Sequence, residues 1–329
     1  MPKPLIYVTR RFADSGIKAL KAEGYRVTIY PEDRIIPRKE LLKNVKGCDV
    51  ILSLLTDKID EEVFNAAGPQ LKMVANYAVG FDNIDLAAAR KRNIVVTNTP
   101  SAAVSEAVAE HAFALMITLA RRIVEGDAYA KAGKYAGWSP TNLIGSQLSG
   151  KTLGIVGSGR IGSSLALRAV LGFGMNAVYS DMRRNATIEK ELEAKQLPLE
   201  ELLEVSDYVS IHVPLLPTTR HLISTDEFSA MKKTAFLINT SRGPVVDEKA
   251  LLRALKTKRI AGAALDVFEC EPAIDCDIKD NLELKAFPNV ILTPHIGSAT
   301  IEAREAMSMV AAQNIIAVLN GKPAINPAK

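Results

Sequence analysis

Short aliphatic runs with no polar face alternate with helix-patterned stretches along nearly all of the 329 residues. A strand that is apolar on both faces must be covered on both sides. The alternation therefore restricts the chain to parallel sheets sandwiched between helices. Leu5–Thr9, Arg26–Tyr30, Asp49–Leu54, Lys72–Ala75 and Ile94–Thr97 form one strand series. Helices Phe12–Glu23, Leu41–Val45 and Glu61–Ala67 lie between some of them, and Gly24 supplies the stop after the first. A second series runs through Thr152–Val156, Asn176–Ser180, Tyr208–Val213, Ala235–Asn239, Gly262–Val267 and Val290–Thr293. Two series predict two doubly wound domains, in keeping with a chain about twice the ~150-residue domain size.

The join is expected at Pro100-Ser101, where Ser101 can cap the apolar helix that follows. A last helix, Thr300–Leu319, comes after the second series has ended and is expected to pack back on the first domain. The predicted organisation is a discontinuous first domain (1–101 and 295–329) around a second domain (102–294), which the motifs below assign to substrate and to dinucleotide respectively.

Composition narrows the function. The 48% hydrophobic and 24% charged residues are those of an ordinary globular protein. The charge of +4 is small and dispersed, and aromatics are only 5%. Neither a phosphate-backbone footprint nor a base-stacking surface is present, so no nucleic-acid partner is expected. Ala102–Ala120 is the most apolar stretch, but Glu106, Glu110 and His111 interrupt it, which favours a buried helix over a membrane span. The start, Met1-Pro2-Lys3-Pro4-Leu5, runs straight into a strand without a signal-peptide pattern. Cys48, Cys270 and Cys276 make neither a disulfide framework nor a zinc spacing, so no metal site is expected and a reducing, cytoplasmic setting is.

Gly157-Ser158-Gly159-Arg160-Ile161-Gly162 follows the strand Thr152–Val156 and opens the helix Arg160–Leu171. That context turns a common glycine string into a dinucleotide fingerprint. Gly157 permits the tight turn, Gly159 lets backbone N–H groups approach a pyrophosphate, and Gly162 lets helix pack on strand. The helix N-terminus favours the negative charge. Asp181, nineteen positions beyond Gly162 at the end of the next strand, can accept the adenosine ribose hydroxyls and repel a 2′-phosphate. Arg183 and Arg184 pull the other way. NAD is the expected cofactor, with NADP as the minor alternative.

Further along, polar residues fall where ligands bind in open α/β sheets, at the carboxyl ends of strands. They are Arg242 in Asn239-Thr240-Ser241-Arg242-Gly243, Glu271 in Glu269-Cys270-Glu271-Pro272, and His295 in Thr293-Pro294-His295-Ile296-Gly297-Ser298. Together they suit reduction of a 2-keto acid. Arginine grips a planar carboxylate with two hydrogen bonds. Histidine donates the proton that the carbonyl oxygen needs as hydride arrives at carbon. A carboxylate behind it fixes the tautomer and favours imidazolium. Singly, each has an ordinary explanation as an ion-pair, turn or core residue. Of the other histidines, His212 and His221 have no special context, and His111 reads as a structural residue on an apolar helix.

The sequence resembles the D-isomer-specific 2-hydroxyacid dehydrogenase family over nearly its whole length. The matching stretches are Asn76–Asp85, Thr97–Pro100, the glycine motif, Ser241–Asp247, Leu265–Phe268 and Thr293–Thr300. Within the family it is most similar to the glyoxylate/hydroxypyruvate reductase branch. The resemblance implies a Rossmann NAD domain beside a flavodoxin-like substrate domain, and catalytic roles for Arg242, Glu271 and His295. It implies that the backbone N–H groups of Val79 and Gly80 hold the substrate carboxylate, and that Leu54 and Leu55 line an apolar pocket for small 2-keto acids. It places Asp266 near the nicotinamide carboxamide and Pro214 near the adenine, with Val213, Thr240 and Gly297 also against the cofactor. Val108 stands where many relatives carry Thr. Gly137-Trp138-Ser139-Pro140 matches a loop that reaches into a partner subunit's active site, so a homodimer is expected, with Trp138 lining the neighbour's pocket or anchoring the interface.

Two rivals remain. Lys134–Pro140 and Ala311–Asn326 also resemble phosphite dehydrogenase, but that enzyme carries a Lys where Val79 stands here. From another class comes an NADH-sensing corepressor on the same fold, which has no need of Arg242, Glu271 and His295 together.

Overall fold

The computed structural model describes residues 3–271 and 284–328, so Pro272 and Cys276 lie outside the described residues. The chain divides into two compact units. Of the described residues, one takes Lys3–Val104 and Ala299–Ala328; the other takes Ser105–Glu271 and Leu284–Ser298.

The first unit threads β1 (Leu5–Val8), α1 (Asp14–Ala22), β2 (Arg26–Ile29), α2 (Arg38–Asn44), β3 (Val50–Leu54), α3 (Glu61–Ala67), β4 (Met73–Tyr77), α4 (Leu86–Lys91) and β5 (Val95–Thr97). Its described strands form one parallel sheet in the order β2-β1-β3-β4-β5. This is the flavodoxin-like winding, which reverses between β1 and β3. Gly24 closes α1 in the left-handed region at φ +80°, its N–H bonding to Lys21 O at 2.9 Å. Asp60 and Asp85 cap α3 and α4 by accepting the N–H of Val63 and Ala88.

The second unit begins inside α5 (Ala102–Arg121), whose first turn Ser101 caps by accepting the Val104 N–H at 3.2 Å. There follow α6 (Ile123–Lys131), β6 (Thr152–Val156), α7 (Arg160–Leu167), β7 (Asn176–Ser180), α8 (Ala186–Leu192), β8 (Lys195–Gln196) and α9 (Leu199–Val205). The unit ends with β9 (Tyr208–Ile211), α10 (Thr225–Ala230), β10 (Phe236–Asn239), α11 (Glu248–Lys256), β11 (Gly262–Leu265) and β12 (Val290–Leu292). Its described strands pair in parallel as β8-β7-β6-β9-β10-β11-β12, the Rossmann order with one further strand.

Three local readings are corrected. The helix after the glycine turn holds α geometry only to Leu167, and Arg168–Gly172 widens to a π-turn. The short edge strand β8 carried no apolar signal. Residues 295–298, assigned from sequence to the substrate domain, fall with the second unit. The reason is Asp266 at the end of β11, which accepts the N–H of His295 on its carbonyl and those of Ile296 and Gly297 on its carboxylate.

α5 is long and apolar enough to cross a membrane by length and composition alone. Here Ala109, Ala112, Leu115, Met116 and Leu119 pack into the core of the second unit. Glu106 and Glu110 pair with Arg168 of the π-turn. Those are the positions that interrupted its apolar pattern.

α12 (Ile301–Leu319) returns to the first unit, where it packs against α1. Gly16 permits this approach. Its N–H donates to Ser308 Oγ at 2.8 Å, and a Cβ there would fall 2.1 Å from Ser308 O. Gly16→Val should therefore destabilise the first unit by about 1–3 kcal/mol, the usual cost of overpacking. The check is the denaturant midpoint; an unchanged midpoint would show that α12 is not seated on Gly16.

Candidate active site

The nucleotide turn lies where β6 hands over to α7. Gly157 sits at φ +97°, and a Cβ there would lie 2.9 Å from the His212 carbonyl carbon and from Val213 Cγ1. Gly162 lets α7 settle on the turn, since a Cβ would fall 2.2 Å from Gly157 O. Gly159 differs: a Cβ there would meet nothing within 4 Å. Its absence of side chain leaves open space at the helix N-terminus, of the kind a pyrophosphate fills. Arg160 and Ile161 follow as the first residues of α7.

Asp181, directly after β7, is braced over this turn. Its Oδ2 accepts from Ser158 N at 2.8 Å and Ser158 Oγ at 3.2 Å, and its Oδ1 from Arg183 N at 3.1 Å. A carboxylate offers about four lone-pair sites, so capacity remains for a ribose hydroxyl. Arg184 is tied to Glu189 at 2.6 Å, and Glu189 also accepts from Tyr179 OH at 2.6 Å. One of the two cations that could serve a 2′-phosphate is thus already engaged. The Asn185 amide holds Ser158 O at 2.7 Å and Ser163 Oγ at 2.9 Å. Sequence reading missed Asn185; its N-cap spacing to Ile188 was the available signal. These features fit a dinucleotide with unsubstituted ribose hydroxyls. The Thr240 hydroxyl at the end of β10 adds a buried polar atom without a hydrogen-bond partner, while Pro214 is exposed after β9.

The chemical groups follow β10, β11 and β12. Arg242 is half-buried, and its Nη1 donates to Ser241 O at 2.7 Å. Asn239 secures the same turn by donating to Arg242 O at 3.0 Å. A Cβ on Gly243 would fall 1.8 Å from Phe268 C and O, so only glycine lets this turn press on the segment leading to Glu271.

Glu271 Oε2 lies 2.8 Å from His295 Nδ1. A carboxylate on Nδ1 makes that nitrogen the donor and leaves Nε2 as the outward face of the ring. His295 is held at φ +53°, a left-handed conformation uncommon for a residue with a side chain. Its N–H donates to Asp266 O at 2.9 Å. Asp266 itself is buried, which raises its pKa. Hydrogen bonds from His111, Thr293, Ile296 and Gly297 outweigh that and hold its carboxyl below the usual range. Asp266 thus anchors the His295 turn with its carboxylate engaged. His111, read as structural, is its partner through Nε2, 3.3 Å from Oδ1. A Cβ on Gly297 would come within 3.0 Å of Asp266 Oδ2.

Two further histidines have clear settings that the sequence hid. His221 Nε2 meets Glu269 Oε1 at 2.7 Å, and Glu269 N donates to Glu248 Oε1 at 2.5 Å. His212 lies 2.9 Å from Ser210 Oγ, and burial pulls its pKa down to about 4.

The remaining expected residues divide between the units. In the first, Val79 and Gly80 follow β4, Val79 being 39% exposed, and Leu55 is half-buried in the turn after β3. In the second, Trp138 is 84% exposed, with Tyr135 and Ile144 exposed nearby. Among the described residues no group of His, Cys, Asp and Glu could hold a metal ion.

Two expectations follow. Asp181→Ser removes the charge opposing a 2′-phosphate and should lower the NADH:NADPH ratio of kcat/KM about tenfold or more. An unchanged ratio would assign the discrimination to Arg183 and Arg184. A half-buried histidine held neutral by desolvation binds fewer protons than in the unfolded chain between pH 4 and about 6.5, so stability falls as pH drops through that window. His212 should contribute roughly 2–3 kcal/mol there; His212→Gln should flatten the pH dependence of the thermal midpoint, and an identical profile would contradict it.

Comparisons agree with this geometry. The family profile for the D-isomer specific 2-hydroxyacid dehydrogenase NAD binding domain matches residues 113–297. A glyoxylate reductase of Pyrococcus furiosus is 48% identical over 324 residues, 97% of this chain and 94% of the relative. Among solved structures, a protein of Thermus thermophilus superposes with a TM-score of 0.90 at 42% identity, covering 99% of this chain and 100% of that one. The D-lactate dehydrogenase of Aquifex aeolicus, solved with NAD and lactic acid, gives 0.84 at 33% identity and covers 96% of both. With the glycine turn, Asp181 and the paired Glu271 and His295 in place, the chain belongs to the D-isomer-specific 2-hydroxyacid dehydrogenase family of NAD-binding oxidoreductases.

Proposed function

We propose that the protein reduces small 2-keto acids, with glyoxylate, hydroxypyruvate and pyruvate as leading substrates, to the D-2-hydroxy acids. The observation that carries this reading is the Glu271–His295 contact of 2.8 Å, in the same unit as the nucleotide turn and Arg242.

When bound, NADH supplies a hydride to the carbonyl carbon. Arg242 grips the substrate carboxylate and adjacent carbonyl through its fork of donors. His295 delivers the proton to the carbonyl oxygen from Nε2, while Glu271 keeps the ring oriented through Nδ1. The N–H groups of Val79 and Gly80 take the carboxylate, and Leu55 limits the size of the substrate side chain. Thr240, Val213, Pro214, Asp266 and Gly297 would hold the cofactor.

The protein acts as a homodimer, with the exposed apolar arm around Trp138 reaching the partner. The arm's exposure supports this, because large apolar side chains clustered on a surface mark an interaction site. The free thiol of buried Cys48 supports a reducing, cytoplasmic setting. Phosphite oxidation ranks below keto-acid reduction because Val79 brings no charge to a dianion. A purely NADH-sensing role ranks below catalysis because it gives no reason for the His295–Glu271 pair.

The test is NADH oxidation with glyoxylate, hydroxypyruvate, pyruvate and phenylpyruvate, with phosphite plus NAD as the reverse control. Turnover is expected with the small keto acids, weakest with phenylpyruvate and absent with phosphite, and the products of hydroxypyruvate and pyruvate should be the D-isomers. Phosphite-dependent NAD reduction, or no turnover with any keto acid, would overturn the proposal.

A further inference from the structure

Three consecutive peptide carbonyls in the first unit are each held by a hydrogen-bond donor. Ala78 O accepts the N–H of Thr99 at 2.8 Å, Val79 O the side-chain amide of Asn98 at 2.6 Å, and Gly80 O the side-chain amide of Asn76 at 2.9 Å. Val79 and Gly80 are followed by a turn, yet among the described residues neither of their N–H groups has an acceptor. A peptide unit whose carbonyl is fixed on one side presents its N–H on the other. Hydrogen bonds at the carbonyl also polarise the unit and strengthen the donor. Two adjacent N–H groups held this way make a concavity for an anion.

We infer that Asn98 is a positioning residue for substrate: by holding Val79 O it sets the peptide unit that carries the Gly80 N–H, as Thr99 N–H sets the one that carries the Val79 N–H, so that both donors face the carboxylate, while Asn76 steadies the next unit of the loop. This rests on the reading in which that loop binds the carboxylate.

The two asparagines are not equivalent. Asn76 is fully buried. Its Nδ2 also reaches Asn83 Oδ1 at 3.0 Å and its Oδ1 accepts from Ser53 Oγ at 3.0 Å. Asn83 in turn donates to Leu54 O at 3.1 Å and Asp57 O at 2.9 Å. Asn76 thus belongs to a satisfied interior network that joins the loop to the turn after β3. Asn98 is half-buried and is fixed from the other side, since its N–H donates to Asn326 O at 3.2 Å. Ala328 N donates to Val96 O at 2.9 Å, and Pro327 forms an isolated antiparallel bridge with Thr97 of β5. The end of the chain thereby holds in place the backbone of the residue that tethers Val79.

Asn98→Asp is the informative change. It keeps the shape of the side chain but sets an acceptor against Val79 O, so the tether becomes a repulsion, while the half-exposed site leaves the fold intact. KM for glyoxylate and the Kd of oxamate, a non-reacting carboxylate, should each rise about tenfold, the size of one charge-assisted hydrogen bond. The Kd of NADH and the thermal midpoint should stay at wild-type values, and kcat should change less than KM. Unchanged KM and oxamate affinity, or an equal fall in NADH affinity and midpoint, would overturn the inference. Gly80→Pro, which deletes an N–H outright, separates the two possible failures. A raised KM in Gly80→Pro with none in Asn98→Asp would leave the loop its anion role and remove the tether. No change in either would remove the role as well.

Discussion

The left-handed turn at His295 is the constraint on which the proposed proton donor depends. His295 at φ +53° costs on the order of 1–3 kcal/mol relative to a relaxed backbone. It persists because Asp266 over-determines the turn from within. The carbonyl of Asp266 takes the His295 N–H, and its carboxylate takes those of Ile296 and Gly297. Thr293 and His111 complete the carboxylate's partners at 2.6 and 3.3 Å. With the backbone fixed, the imidazole has a defined exit direction, and Glu271 fixes its rotation. Gly243 extends the same logic to Arg242, because only a residue without Cβ lets its turn lie against Phe268. Arg242 and His295 are thus placed by the carboxyl ends of β10, β11 and β12, and the Glu271–His295 hydrogen bond completes the arrangement.

The first unit solves a different problem by a similar route. An anion can be held by backbone N–H groups only if those groups are denied internal acceptors. In the proposed reading, Thr99 and Asn98 orient two such groups by holding the carbonyls of the same peptide units. The buried amide of Asn76 donates and accepts at once and so leaves no unpaired atom inside the sheet edge.

Much of this was legible in the sequence because it is local. The strands announced themselves as apolar runs, and the glycine turn by its place between a strand and a helix. Arg242, Glu271 and His295 stood out because each follows a strand end. What stayed hidden depends on contacts distant in sequence. Residues 295–298 read as part of the substrate domain until Asp266, some thirty positions earlier, was seen to hold them. His221 had no visible partner because Glu269 lies 48 positions away. Asn98 read only as part of a matching stretch, since its partner Val79 is on the neighbouring strand's end. The π-turn at Arg168–Gly172 interrupts a helix whose apolar pattern continues through it.

The central claim is that His295, oriented by Glu271, delivers the proton to the substrate carbonyl. The most direct measurement is steady-state keto-acid reduction by His295→Asn, a residue that tolerates the left-handed backbone, with NADH affinity measured in parallel. A loss of 10²–10⁴-fold in kcat, the typical contribution of a positioned acid, with NADH affinity unchanged, is the expected result. Turnover within a few-fold of wild type would contradict it.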